Sequence, residues 1–256
     1  MICGLPAKQN ISLIQTNMQD TGDRQERLFT SFQAIPLRQF ALILLDSTGT
    51  LIQCNPDVAE IYHRVITSQG HRIEKETIAK NGAAAMREAF LDGCTPSDPL
   101  RRNPTDEAIE LERWRTVVHR TFSMLTATQS DAAFEVLWPH FALAEHWDML
   151  PGTAARITAI QQQFPTIKIA IGSNFDRRLF GVLDGFEVLR DIELRFVSSL
   201  VGFSKPDPRF FTAINAATST TPDQCLMVGD SQVNDIDGAL GSGWYAIDAS
   251  AFFGRA

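Results

Sequence analysis

The sequence predicts an α/β fold: a doubly wound parallel sheet with an all-helical segment inserted after its first strand. Three observations carry this. Short, unbroken apolar runs recur along the chain, each stopping at a polar residue. In the second half these runs alternate with stretches of helical spacing. Between residues 53 and 148 the runs disappear and only helical spacing remains. Regular strand–helix alternation is the pattern of a parallel sheet covered by helices on both faces.

The first apolar run covers residues 40–46 and ends in Asp46, followed by Ser47, Thr48, Gly49 and Thr50. A continuous apolar run of this length, with a glycine soon after it, reads as a strand buried on both faces. Residues 167–172 repeat the pattern and stop at Ser173 and Asn174. Residues 194–197 stop at Ser198 and Ser199. Residues 225–229 stop at Asp230, and a weaker run spans 244–247. Leu179, Val182, Leu183 and Phe186 have helical spacing, as do Phe210, Phe211 and Ile214, then Ile236, Ala239 and Leu240.

Inside the insertion, Val58, Ile61, Tyr62, Val65 and Ile66 form one helical stripe. Leu111, Trp114, Val118, Phe122 and Leu125 form a second, and Phe134, Leu137 and Phe141 a third. Residues 92–104 are rich in breakers and predict a loop. The predicted organisation is an N-terminal arm over 1–37, poorly ordered, a core from 38–52 and 149–256, and a helical insertion over 53–148. Its linkers fall near residues 52–56 and 147–152.

The 256 residues are 44% apolar and 21% charged, ordinary proportions for a globular domain. A net charge of −7 without a basic block argues against nucleic acid or an anionic membrane as the main partner. No apolar run approaches the ~20 residues that span a bilayer. Residues 1–39 are polar and lack a signal-peptide core. Cys3, Cys54, Cys94 and Cys225 are widely spaced, so neither a zinc site nor a redox pair is expected. A reducing, cytoplasmic setting is the simplest expectation. Oligomeric state is not legible.

In an open parallel sheet, ligands bind outside the carboxyl ends of the strands. Asp46, Ser173, Asn174 and Asp230 all follow apolar runs and should converge there, with Lys205 on a nearby loop. Carboxylates from two strands can hold a hard cation such as Mg²⁺, and one of them can attack an electrophile. A hydroxyl and an ammonium can hold the anionic oxygens of a transferred group. Each residue has a plainer alternative. Asp46 could cap a turn, Asp230 or Asp235 could cap a helix, and Lys205 could be a solvated surface charge. Pro206 and Pro208 flank Asp207 and stiffen the Lys205 loop.

Four segments in order resemble the motifs of the haloacid dehalogenase-like hydrolase superfamily. They are Asp46, Ser47, Thr48, Gly49 and Thr50, then Ser173 and Asn174, then Lys205, Pro206, Asp207 and Pro208, then Gly229 and Asp230 through Asp235. The resemblance covers about residues 38–250. The stretch Gly172, Ser173, Asn174, Phe175, Asp176, Arg177, Arg178 and Leu179 is similar to the subgroup called haloacid dehalogenase-like hydrolase domain-containing protein 3. The resemblance implies a Rossmann-like core, a helical cap, Mg²⁺ and a small phosphorylated substrate. It implies that Asp46 is a nucleophile forming an aspartyl-phosphate and also a metal ligand. The Thr48 carbonyl and Asp230 would complete the protein's ligands, with Asp235 acting through water or orienting Lys205. Ser173, Lys205, and backbone groups around Thr48, Gly49 and Asn174 would bind the phosphoryl group.

One position departs from the family pattern. Phosphatases of the superfamily carry a second Asp two residues after the nucleophile, as the acid for the leaving group. This chain has Thr48 there. Such acid–base catalysis is worth about 10²–10⁴ in rate, so Thr48 points to good leaving groups such as acyl or aryl phosphates, to a proton donor elsewhere, or to a slow, phosphate-binding domain. Rivals are a metal-independent 2-haloacid dehalogenase, a phosphonate hydrolase using Lys75 or Lys80, and a non-catalytic regulatory domain. His119, Arg115 and Arg120 share a helix with Trp114 and are candidates to face the crevice, with packing or surface roles the plainer alternative. Trp138 and Trp147 are expected to pack inside the insertion or at its hinge.

Overall fold

A computed structural model describes residues 24–91 and 104–255. Its strands are β1 (Leu28–Phe29), β2 (Leu42–Leu45), β3 (Ile52–Cys54), β4 (Trp147–Met149), β5 (Lys168–Ser173), β6 (Leu194–Val197), β7 (Cys225–Gly229) and β8 (Tyr245–Asp248). Six of them form one sheet in the order β1-β8-β7-β2-β5-β6. Every neighbouring pair in it is parallel. The first long strand in sequence therefore lies inside the sheet, with β7 on one side and β5 on the other. That reversal of strand order opens a crevice at the carboxyl end of β2.

Helices α1 (Val58–Ser68), α2 (Lys75–Met86), α3 (Glu107–Thr121) and α4 (Ala127–His140) form the insertion. In the core, α5 (Thr153–Gln163), α6 (Arg178–Asp184), α7 (Glu187–Arg190), α8 (Ser198–Val201), α9 (Pro208–Thr218), α10 (Gly238–Gly241) and α11 (Ala249–Phe253) surround the sheet. Alternate residues of β2 point to opposite faces. Ile43 and Leu45 join a cluster with Ile157, Leu179, Leu183 and Phe252. Leu42 and Leu44 join another with Phe210, Phe211, Ile214 and Trp244. Both faces are covered, which is why the strand sequences are apolar throughout.

The insertion has its own core, built from Ile61, Tyr62, Ile66, Ile78, Val118, Phe122, Phe134 and Leu137. Asp57, Asp106 and Thr126 cap its helices by accepting the backbone N–H of Glu60, Ile109 and Gln129. Its root is a two-stranded antiparallel ribbon, β3 on β4, where Cys54 faces Trp147. Glu107 ties α3 to the core by accepting the backbone N–H of Arg177 at 3.1 Å and the hydroxyl of Ser199.

The arm expected over 1–37 needs correction where it is described. From Arg24 onward the chain is docked on the core. β1 adds an edge strand beside β8, Phe29 stacks on Tyr245 at 5.6 Å, and Phe32 meets Phe252 edge-on at 5.3 Å. A two-residue edge strand carries no periodic signal, so nothing in the residue pattern marks it. Residues 1–23 and most of the 92–104 loop lie outside the described residues. α2 was not anticipated either, because only Ile78 and Ala85 of its residues are buried. α3 ends at Thr121, before Phe122 and Leu125, which were expected on its stripe.

Candidate active site

Asp46 follows β2 directly, and its N–H donates to the Val228 carbonyl at 2.9 Å, extending the ladder one step past the strand. The chain then turns tightly. The Ser47 carbonyl accepts from the N–H groups of Leu51 at 2.7 Å and Ile52 at 3.0 Å. Gly49 sits in that turn at φ +86°, and a β-carbon there would lie 2.4 Å from Asp230 Oδ2. Only glycine satisfies both the backbone and the space. Gly229, at the end of β7, is required by contact alone, since a β-carbon would fall 2.3 Å from the carboxyl carbon of Asp235.

Lys205 arrives from the loop before α9 and is 1% exposed, the most deeply buried cation of the site. Its Nζ donates to Asp46 Oδ1 at 2.7 Å, Asp235 Oδ1 at 2.6 Å and the Gly172 carbonyl at 2.9 Å. An ammonium has three protons to donate, and these acceptors come from three separate segments of the chain. Asn174 holds the loop in place. Its Nδ2 donates to the Lys205 carbonyl, and its Oδ1 accepts from the Lys205 N–H, both at 2.8 Å. The sequence reading places backbone groups around Asn174 near the substrate; its side chain positions Lys205, and the residue borders the adjoining cavity.

Oxygen atoms of Asp46, Asp230 and Asp235 all lie within 4.8 Å of one another. Burial pushes the Asp46 carboxyl up to about 7. The nearby Lys205 ammonium pulls it down, and Asp235 and Asp230 push it further up. Burial and Asp235 also raise Asp230, against a hydrogen bond from Thr50 Oγ1 at 3.1 Å. Burial acts to lower Lys205, but Asp235 and Asp46 outweigh it and hold the ammonium above its ordinary range. Three carboxylates face one ammonium, so the fully ionised cluster carries a surplus of two negative charges. An all-oxygen donor set with that surplus fits a hard divalent cation.

Ser173 ends β5 and is buried, its Oγ 2.6 Å from Ser47 Oγ. Ser47 was not singled out in the sequence, although it adjoins Asp46. Arg255, also unforeseen, pins this side of the site. It donates to the carbonyls of Thr50 and Pro151 at 2.8 Å each and to Thr153 Oγ1 at 2.7 Å. No local pattern marks a residue near the chain end as a brace for a loop 205 positions earlier.

Beside the strand ends, a cavity of about 520 Å³ lies between the insertion and the core. Thr48 and Asn174 belong to its lining together with Tyr62, Trp114, Phe141 and Phe175. The other candidates from the insertion turn elsewhere. His119 Nε2 and Arg115 both meet Asp131 of α4 at 2.9 Å, and Arg120 pairs with Glu88. These are bridges between helices. Lys75 pairs with Asp57 and Glu60 on the surface. Trp138 lies under the Arg178 guanidinium at 3.2 Å, and Trp147 packs against Phe141 and Phe175, in keeping with the packing roles expected.

The model of the haloacid dehalogenase-like hydrolase family matches residues 40–243. The chain belongs to that family. Mouse haloacid dehalogenase-like hydrolase domain-containing protein 3 is 28% identical over 213 residues, covering 81% of each chain. The rhythmically expressed gene 2 protein of Drosophila melanogaster is 24% identical, over 82% of this chain and 83% of its own. Among solved structures, L-2-haloacid dehalogenase from Xanthobacter autotrophicus matches with a TM-score of 0.57 at 15% identity, over 81% of this chain and 76% of that one. A predicted phosphoglycolate phosphatase from Haemophilus somnus matches at 0.58 and 18%, over 82% and 85%. The Bacillus subtilis protein YfnB, solved bound to magnesium, matches at 0.59 and 17%, over 81% and 85%. These three likenesses carry the fold alone. A dehalogenase and a predicted phosphoglycolate phosphatase thus stand among the structures of similar fold. Among the described residues no helix is long and apolar enough to cross a membrane.

Proposed function

We propose that this chain is a Mg²⁺-dependent phosphohydrolase that works through an aspartyl-phosphate at Asp46. The observation that carries the proposal is the carboxylate cluster of Asp46, Asp230 and Asp235, in which Asp46 and Asp235 share the buried ammonium of Lys205. Asp46, Asp230 and the Thr48 carbonyl would hold the cation, with Asp235 nearby. The bound cation would offset the charge of the approaching phosphoryl group.

Asp46 attacks phosphorus through one carboxylate oxygen. The bond from phosphorus to the organic oxygen breaks, and that oxygen leaves with the electron pair. Ser173 donates to a phosphoryl oxygen, and Lys205 balances charge from behind Asp46. Water then attacks the phosphorus of the aspartyl-phosphate, releasing inorganic phosphate and restoring the carboxylate. Thr48 cannot supply a proton as a carboxylic acid would, which favours leaving groups stable as anions.

The dehalogenase chemistry of some structural neighbours suits this site poorly. Displacing halide from carbon needs no cation, because the attacked carbon is not a polyanion, so that chemistry leaves the carboxylates clustered around Asp46 without a role. The test is phosphate release from acetyl phosphate and a panel of monoesters, with Mg²⁺ and with chelator, beside Asp46→Asn. Release that requires both Mg²⁺ and Asp46 supports the proposal. Halide release from 2-chloropropionate without metal refutes it, and metal binding without any release indicates a regulatory domain.

A further inference from the structure

The cavity beside the strand ends is large enough, at about 520 Å³, for a ring-sized organic group. Its lining is nearly all aromatic and aliphatic, with Ile78, Ala83 and Met86 of α2 across from Phe141 and Phe175. Among the described residues only two lining side chains are charged, and both are engaged. Asp57 caps α1 and pairs with Lys75 at 3.2 Å. Arg178 is held by both carboxylate oxygens of Asp176, at 2.8 and 2.7 Å, and donates to the Trp138 carbonyl at 2.9 Å. A leaving group bearing a carboxylate, a second phosphate or an ammonium would lose its water there without gaining a counter-charge. A neutral ring loses nothing of that kind and gains apolar burial.

Thr48 belongs to the same lining. Without an acid at that position, the departing oxygen must be stable as an anion. A phenolic oxygen meets that condition and an alkyl alcohol does not. Cavity and missing acid therefore select the same chemistry. We propose that the cavity under the helical insertion makes this chain selective for phosphate esters of neutral aromatic alcohols, that is, aryl phosphates. The inference rests on the phosphohydrolase assignment above. The phenoxide leaves with the electron pair of the broken P–O bond and takes its proton from water.

The experiment pairs turnover with binding. Turnover of phenyl phosphate, 1-naphthyl phosphate, phosphoglycolate, glycerol 3-phosphate and acetyl phosphate is measured with Mg²⁺. Binding of phenylphosphonate, methylphosphonate and phosphonoacetate is measured by calorimetry under the same conditions. We expect phenylphosphonate to bind at least tenfold more tightly than the other two, and kcat/KM for the aryl esters to exceed that for phosphoglycolate and glycerol 3-phosphate at least a hundredfold. Ala83→Phe, placed on an exposed position of α2 that faces the cavity, should lower the aryl-to-acetyl ratio of kcat/KM at least tenfold. Turnover of acetyl phosphate with no aryl preference in either measurement overturns this inference and leaves the phosphohydrolase assignment standing. No release from any compound, with no phosphonate bound, overturns both.

Discussion

Removing the charge of Asp46 should stabilise the metal-free fold while abolishing its chemistry. Burial, with Asp235 and Asp230 nearby, raises the Asp46 carboxyl from 3.8 to about 7 in the folded state. Between those values the folded protein holds a proton that the unfolded chain has released. Stability from this group is therefore complete below about pH 4 and is lost as pH rises through about 7. Each tenfold in proton affinity is worth about 1.4 kcal/mol. The loss between pH 5 and pH 8 is then about 2–3 kcal/mol. Asp46→Asn has no proton to lose, so it should lack this slope. The assay is urea denaturation of both proteins, stripped of metal, at several pH values. The wild type should fall relative to the variant by about 2–3 kcal/mol, and saturating Mg²⁺ should recover most of that difference. Parallel pH profiles, or a wild type that gains on the variant toward pH 8, would refute the electrostatic account of the site.

Lys205→Met leaves Asp46 and Asp235 buried without their shared ammonium; a loss of about 3–5 kcal/mol is expected by denaturation, together with loss of phosphate release. In the double variant with Asp235→Asn, part of that stability should return. Gly229→Ala pushes a methyl group into Asp235, at 2.3 Å from its carboxyl carbon; weaker Mg²⁺ binding by calorimetry is expected, with a destabilisation of about 1–3 kcal/mol from overpacking. Thr48→Asp supplies the absent acid; turnover of alkyl phosphates should rise by about 10²-fold relative to aryl phosphates, measured as the ratio of kcat values.

The fold was legible because the core strands are apolar on both faces and each stops at a polar residue. Asp46, Ser173 and Asp230 could be selected for that reason, and their meeting follows from the order of β7, β2 and β5. Periodicity failed where an element is short or its burial narrow, as in β1 and α2. Lys205 illustrates the limit at the site. Its sequence context marks a stiff loop, but the count of its partners, two carboxylates and a carbonyl, depends on three segments far apart in the chain. Arg255 and the Asn174 clamp were invisible for the same reason. The cavity lining was invisible because helical spacing shows which residues are apolar, not which of them a helix turns toward the core and which toward a gap.

Asp46 and the cavity belong to parts of the molecule with different resistance to opening. Asp46 hangs from a strand bonded on both sides, and its own amide is tied to Val228. The insertion is rooted by a ribbon of two three-residue strands. Under mild denaturant the ribbon and helices should exchange their amide protons before β2 does. A chain loosened in this way would keep the carboxylate cluster at Asp46 and lose the enclosure proposed to choose among organic groups. Damage would then show first as poorer discrimination between substrates, and only later as loss of activity.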